Sequence, residues 1–553
     1  MPVTADLLLT NANVLTMDPA RPRARWVAMA DGRILAVGAD ADSPSGVPAR
    51  EVADLRGATL LPGFHDAHNH MAQYGLTLGD VDLRSEVTRT LGELYQAVAA
   101  QASATAPGDW VIGSGYDQNK LGAHPDRDGL ERAAPGRRVW LRHTSGHMCV
   151  VSSAVLADLG LSDKPAEVPG GKVVTDATGR PTGLLQEKAQ ALVGGLVHPY
   201  PVSVLADAID RAGARYLSEG ITSVTEAGIG GGWIGHTPVE LAAYQTARDT
   251  GRLRVRVELM IASDALHPLA AHPGDGLELG LDLGIRTGFG DDWLRIGAMK
   301  IFTDGSLVGR TAAMHEDYDG TPGDRGYLQA DAAELTATII AAHRSGWQVA
   351  AHAIGDRAID LVLDAYAQGR QRFPREDTRH RIEHFATSRP DQVSRAAQLG
   401  VIPVPQGRFA SELGDGMLAA VGRGRHEWLY RQRSLLDAGL TLPGSSDRPV
   451  VAGAPLLGVH DMVNRRTAAG VPFNPAEAIS AHEALRAYTS GSAYASHAER
   501  ARGMIAPGRL ADLVVLSEDP TAVSPASIAG ITVLATFVDG ECRFDISGNG
   551  QVS

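Results

Sequence analysis

His68 and His70 close the run Leu60-Leu61-Pro62-Gly63-Phe64-His65-Asp66-Ala67-His68-Asn69-His70, where an apolar strand entry leads directly into a His-x-His pair. Where a strand gives way to its loop, two imidazoles one residue apart can turn toward one point, and neutral imidazole is the commonest protein ligand for zinc and its neighbours. Alone, the pair is as well explained by chance among 19 histidines. Its company decides the matter: Lys300 in GAMKIFTDG, His352 in VAAHAIGD, His384 in RIEHF and Asp447 in GSSDRP, each at or near the end of a short run that reads as a strand. A hydrolytic metal centre needs ligands that leave an open position and a base for a water proton, and this set can supply both.

The order His-x-His, Lys, His, His, Asp resembles the amidohydrolase superfamily. The wording KIFTDGS, HAIGDRAID, RIEHFA and the terminal GMIAPGRLADLVVL is similar to its amidohydrolase 3, or YtcJ-like, branch over nearly the whole chain. The resemblance implies that His68 and His70 with Asp447 hold the more buried of two metals and that His352 and His384 hold the second. Lys300 would bridge them as a carbamate formed with carbon dioxide, since an ammonium repels a cation and a carbamate offers oxygen. A plain Lys300 implies a mononuclear site. The expected cofactor is a divalent metal, zinc first, at one or two ions per chain. The expected reaction is attack of a metal-bound hydroxide on a polarised carbonyl, with Asp447 taking the water proton and passing it to the leaving nitrogen. His147 in HTSGH resembles a histidine of relatives that steadies an oxyanion; a plain loop histidine is the alternative. Glu187 and Arg310 recur in the family wording and are either substrate contacts or structural ion pairs. His65 stands where the family is often apolar and reads as a packing residue behind the ligands. Gly230, Gly231 and Gly232 either let backbone approach a ligand or form a turn, and lack the spacing of a phosphate loop.

The elements that must position these groups follow from the pattern. Strands alternate with helical stretches, as in Glu334 to His343, Trp347 to His352 and Asp356 to Gln368, which argues for parallel βα units. Leu61 to His68, Ile221 to Glu226, Arg254 to Ile261, Leu294 to Thr303, Trp347 to His352, Arg381 to Phe385, Val401 to Pro405 and Leu440 to Asp447 make eight strands. The fold class is therefore α/β, a (β/α)8 TIM barrel with reactive groups at the carboxyl ends of strands one, four, five, six and eight. A doubly wound sheet would gather its ligand at one switch point instead. Both ends of the chain read as short strands, with a hairpin signal at Asp31-Gly32 and a turn at Asp539-Gly540. Residues 1–59 and 501–553 are expected to share one small β-sandwich around a barrel of residues 60–500, with residues 71–202 an inserted subdomain that serves as a lid or substrate wall.

Composition bounds the function class. A chain of 553 residues is 44% hydrophobic and 21% charged, as in a soluble enzyme, and no run approaches the ~18 apolar residues of a membrane span. A net charge of −13 with scattered basic residues argues against nucleic acid or an anionic membrane as partner. The densest basic run, residues 422–426, reads as solvated surface. Cys149 and Cys542 are too few for a disulfide framework or a thiolate site, so any metal is held by nitrogen and oxygen. The N-terminus lacks a signal-peptide pattern, which makes cytoplasm the default, and a homodimer acting on a small molecule is the family-level expectation. Two other readings remain open: a mononuclear deaminase on the same barrel, and a non-catalytic binding or regulatory relative.

Overall fold

The structure, a computed structural model, describes residues 4–39, 46–84, 87–143, 148–168, 171–231 and 235–547. The chain divides into two compact units, one formed by residues 1–72 and 212–553 and the other by residues 73–211.

In the first unit seven strands pair in parallel: β1 (Phe64–Asn69), β2 (Ile221–Ile229), β3 (Arg256–Ala262), β4 (Leu294–Phe302), β5 (Val349–Ala353), β6 (Arg381–His384) and β7 (Ile402–Val404). Consecutive strands are neighbours throughout, so the sheet curls into a nearly closed barrel. Residues 440–447, expected as the eighth strand, form no regular ladder: Pro443 offers no N–H, and Gly444 N and Ser446 N donate to Ala487 O and Asp66 Oδ1. They nonetheless span the gap. Ala67 N donates to Gly444 O (2.9 Å) and Asp447 N to His68 O (2.7 Å) on one side, while Ser445 Oγ donates to Pro405 O (3.2 Å) on the other.

The first strand also differs from expectation. Leu61 to His68 is not one strand: Thr59–Pro62 belongs to a terminal sheet, and the chain breaks at Gly63, where a Cβ would lie 2.3 Å from the Thr222 side chain. That terminal sheet has the order Glu541–Asp545, Val533–Val538, Leu513–Leu516, Thr59–Pro62, Asn13–Leu15, Arg23–Ala24. A second sheet takes Arg33–Gly38, Trp26–Ala30, Ala5–Thr10 and Ala49–Asp54. Asn11, at φ 50°, separates Ala5–Thr10 from Asn13–Leu15 and sends them to different sheets. Asp31 and Gly32, at φ 50° and 71°, turn the hairpin as the type I′ signal requires. Leu9, Val14, Val27, Leu60, Val515 and Phe537 bury their side chains between the two sheets. One sandwich strand thus runs straight into β1 and fixes the start of the His-x-His segment.

Around the barrel, Ala332–Arg344 is capped by Asp331 accepting from Ala333 N, and Asp356–Arg372 buries Ile359, Val362, Leu363 and Tyr366 along one helical face. Ala227, Met260, Ala298 and Ala350, one from each of β2 to β5, cluster in a buried layer. Two residues further along β4 and β5, on the same faces, stand Lys300 and His352.

The second unit has its own mixed sheet, ordered Gly171–Thr175, Pro181–Glu187, Met148–Val151, Arg138–His143, Trp110–Tyr116, Val81–Asp82. Two apolar clusters line it, one around Leu94, Val111, Leu130 and Leu141, the other around Trp140, Val151, Leu156 and Val193. Among the described residues no single helix is long and apolar enough to cross a membrane. The basic run at 422–426 is a correction: Arg425 is buried and donates to Val421 O (2.8 Å) and Asp317 O (2.7 Å), so it braces loops rather than facing solvent.

Candidate metal centre

His68 leaves β1 with its backbone bonded to Asp447, and the two side chains meet at the same level. His68 Nε2 lies 3.3 Å and His70 Nε2 3.1 Å from Asp447 Oδ1. One donor atom each from His68, His384 and Asp447 falls within 4.8 Å of the others. The His384 ring stands 5.2 Å from His68 and 4.5 Å from His352, which joins the group through it.

Backbone strain makes this convergence possible. Successive residues of a regular strand face opposite sides, yet Glu383 and His384 both reach His68. His384 and Phe385 at φ 71° and 47°, and Asp447 at φ 60°, occupy the left-handed region that side chains disfavour. Such strain persists only where its surroundings over-determine it, and it concentrates at working sites.

The remaining nitrogens define which atom each imidazole presents. Glu383 Oε2 accepts from His68 Nδ1 (2.5 Å), and Arg381 grips that carboxylate at 2.8 and 2.9 Å while donating to Ala67 O. Gln406 Oε1 accepts from His384 Nδ1 (2.7 Å), its own amide being fixed by Val404 O and Ser445 Oγ. His68 and His384 therefore present Nε2. His352 is turned the other way: Nε2 donates to Gly305 O (3.0 Å) beside Asp304 Oδ1 (3.4 Å), which leaves Nδ1 for the centre. Asp304 in turn accepts from Ala313, Ile354 and Gly355 N–H, tying the loops after β4 and β5 together. Asp66 locks β1 to the Asp447 segment by accepting from Ser446 N (3.0 Å), Ser446 Oγ (2.5 Å) and Asn69 Nδ2 (2.8 Å). Buried partners of this kind orient ligands and tune the metal they hold.

The electrostatics are those of a cation site. Burial pushes His352 far below its ordinary pKa and His384 down to about 3, so both are neutral donors. Burial also acts on His70, but Asp447 and Glu226 outweigh it and lift the imidazole to about 9. Although burial opposes it, Asp447 stays ionised because His68, His70 and His384 surround it. Lys300 is 1% exposed, and among the described residues its Nζ has no hydrogen-bond partner. Burial brings its amine down to about 8 against the pull of Glu383 and Asp447. Three imidazoles and a carboxylate, their outer nitrogens already engaged and an unpartnered amine nearby, fit a divalent cation held by nitrogen and oxygen.

The other candidates fall elsewhere. His65 is buried beneath the centre with Nε2 3.2 Å from Thr225 Oγ1. Arg310 braces its own loop through Asp319 O and Thr321 Oγ1. His147, Gly232 and the Glu187 side chain lie outside the described residues. Gly230 and Gly231 follow β2, and Gly230 N donates to Glu240. Glu383, Arg381, Gln406 and Asp66 escaped the sequence reading. Glu383 carried the one available signal, an acidic residue immediately before the ligand His384.

Known proteins place this arrangement. A family model described as the amidohydrolase family matches residues 51–544. A putative amidohydrolase, YtcJ of Bacillus subtilis, is 31% identical over 91% of this chain and 92% of its own length. The N-substituted formamide deformylase of Arthrobacter pascens is 31% identical over 98% of this chain and 99% of its own. Among solved structures, a metal-dependent hydrolase of Pyrococcus horikoshii superposes with a TM-score of 0.76 at 27% identity, covering 94% of this chain and 99% of that one. With its ligand-type side chains gathered at the ends of parallel strands, the chain belongs to the amidohydrolase family.

Proposed function

We propose that the protein is a metal-dependent hydrolase that cleaves an amide-type C–N bond in a small molecule. The observation that carries this reading is the convergence of His68, His70 and His384 on Asp447, with Lys300 and His352 beside them. His68 and His70 with Asp447 would hold a first cation, His352 and His384 a second, and zinc suits this donor set. When bound, a divalent cation polarises a carbonyl and brings a water pKa from about 15.7 to about 7. Asp447 faces two imidazoles through one oxygen, accepts a proton from the attacking water and returns it to the leaving nitrogen. Glu383 and Gln406 hold His68 and His384 in the tautomers that present Nε2. Lys300, partly neutral near pH 8, reacts with carbon dioxide: its Nζ forms the new N–C bond and releases one proton, which gives a carbamate. The oxyanion role of His147 rests on resemblance alone. The formamide deformylase relative points to N-substituted amides as the substrate class.

The test strips the protein of metal, restores zinc with bicarbonate, and measures formate and amine release from a panel of N-substituted formamides alongside metal per chain. Metal-dependent release that vanishes in Asp447→Asn supports the reading; release indifferent to metal refutes it. The tight grouping of His68, His384 and Asp447 also favours a second reading, a mononuclear deaminase. One metal per chain with ammonia release from aminated heterocycles would establish that instead.

A further inference from the structure

His68, His384 and His352 each have an outer nitrogen engaged by Glu383 (2.5 Å), Gln406 (2.7 Å) or Gly305 O (3.0 Å), whereas His70 is arranged differently. Its Nε2 faces Asp447 Oδ1 at 3.1 Å, and its Nδ1 lies 3.6 Å from Glu226 Oε1, a charge contact rather than a hydrogen bond. Glu226 belongs to β2 and is 3% exposed. A carboxylate so deeply buried has to be compensated by the groups around it.

The two oxygens of Glu226 divide that work. Oε2 accepts from Tyr244 Oη (2.5 Å) and from Ala72 N (3.2 Å), which anchors the carboxylate to the helix Leu241–Asp249 and to the chain two residues beyond His70. Oε1 is the atom turned to the imidazole. The sheet also gives up its regularity here: the register of β2 slips between Val224 and Glu226 against β1, and between Glu226 and Ile229 against β3. Irregularities of this kind re-aim a side chain and recur beside working sites. Glu226 thereby pairs with Asn69, the residue before His70. Glu240, the other buried acid of this neighbourhood, instead accepts from Gly230 N and His236 N.

We propose that Glu226 is a positioning residue of the metal centre: it keeps the proton of His70 on Nδ1 and leaves the Nε2 lone pair for a cation, with Tyr244 as its anchor. This rests on the hydrolase reading above in so far as that reading makes His70 a ligand. A neutral imidazole can carry its proton on either nitrogen, and only one of the two forms offers Nε2 as a donor. A carboxylate behind the ring selects that form, fixes its orientation and raises its basicity.

A double-mutant cycle on the zinc affinity of the full chain, read by chelator competition, tests this. In Glu226→Gln the one remaining oxygen is claimed by Tyr244 Oη and Ala72 N, so the NH₂ turns toward His70 Nδ1 and favours the wrong tautomer. Zinc binding will weaken about 10- to 100-fold. In a His70→Ala background the same change will weaken it no further, because the residue through which it acts is gone. Tyr244→Phe, which removes the anchoring hydroxyl and keeps the ring, will give a smaller loss with the same dependence on His70, and decides the matter by the same comparison should Glu226→Gln fail to fold. Glu240→Gln will leave the affinity unchanged. An equal loss from Glu226→Gln with and without His70 overturns the proposal, since Glu226 would then support only the fold, as does wild-type affinity in Glu226→Gln or a matching loss in Glu240→Gln. Equal zinc affinity in wild type and His70→Ala would instead remove His70 from the centre, and the metal-site reading would fall with it.

Discussion

The two ends of the barrel both bury charge, and they treat it in opposite ways. At the amino ends of the strands, Arg256 lies 1% exposed and is held by Asp512 at 2.7 and 3.1 Å and by Asp539 at 3.0 Å. Asp512 also accepts from Asp539 N, so these charges pin the terminal sandwich to β3 with every partner a protein group. At the carboxyl ends, Lys300 Nζ has no hydrogen-bond partner among the described residues, Asp447 is crowded by imidazoles, and His384 and Asp447 stand on strained backbone. Compensated buried charge holds a fold in one register, whereas uncompensated charge on strained backbone is set aside for something that binds. The location agrees, since barrels of this kind react at the carboxyl ends of their strands.

The sharpest way to break this contrast is to exchange the consequences of mutation between the two ends. Asp447→Asn will lower turnover roughly a hundred- to ten-thousand-fold, the range of one lost acid–base group, with little change in melting temperature. Steady-state kinetics on the metal-loaded variant checks this, and wild-type turnover would remove Asp447 from the chemistry. Arg256→Met will do the reverse. It strands Asp512 as a buried charge and costs about 3–5 kcal/mol of stability in denaturant titration, while the folded fraction keeps its specific activity. Loss of activity without loss of stability there would mean that the base of the barrel is not merely structural.

A smaller effect separates ligands from the groups behind them. Glu383→Gln keeps the shape but weakens the acceptor for His68 Nδ1 and leaves Arg381 less compensated. Metal affinity, read by chelator competition, will fall about 10- to 100-fold while the other ligands remain in place. An unchanged affinity would show that the contact is only packing.

How far the sequence could be read follows the same division. His68, His70, Lys300, His352, His384 and Asp447 were legible because side-chain type and a place at a strand end suffice to suggest ligation. The strands were legible from periodicity and from the glycines and prolines that end them. Glu383, Gln406 and Asp66 were not, because their roles depend on what lies across the barrel. Glu383 meets His68 from β6, five strands along the sheet, and the positive φ at His384 is what brings the next side chain to the same imidazole. The break at Gly63 was hidden for a similar reason: the side chain that demands a glycine there is Thr222, a residue on β2. The helical and strand runs of residues 73–211 gave no order for their sheet, in which Pro181–Glu187 passes over Gly171–Thr175 to pair with Met148–Val151.

The gentlest test concerns pH and a carboxylate that touches no ligand directly. Glu240 is buried at the carboxyl end of the barrel, accepting from Gly230 N and His236 N (both 3.1 Å). Burial, with Glu226 nearby, lifts its pKa from 4.5 to about 8. The folded protein therefore keeps a proton on Glu240 that the unfolded chain gives up near 4.5. Folding takes up a proton between those values, so this group's contribution makes stability fall as pH rises from about 4.5 to about 8, after which it levels off. Glu240→Gln retains an oxygen for both N–H groups and cannot ionise. In metal-free protein its denaturant midpoint will match wild type near pH 4.5 and exceed it increasingly up to pH 8. Parallel pH profiles for the two proteins would mean that Glu240 is already solvated, and that the carboxyl end of the barrel holds less uncompensated charge than its geometry implies.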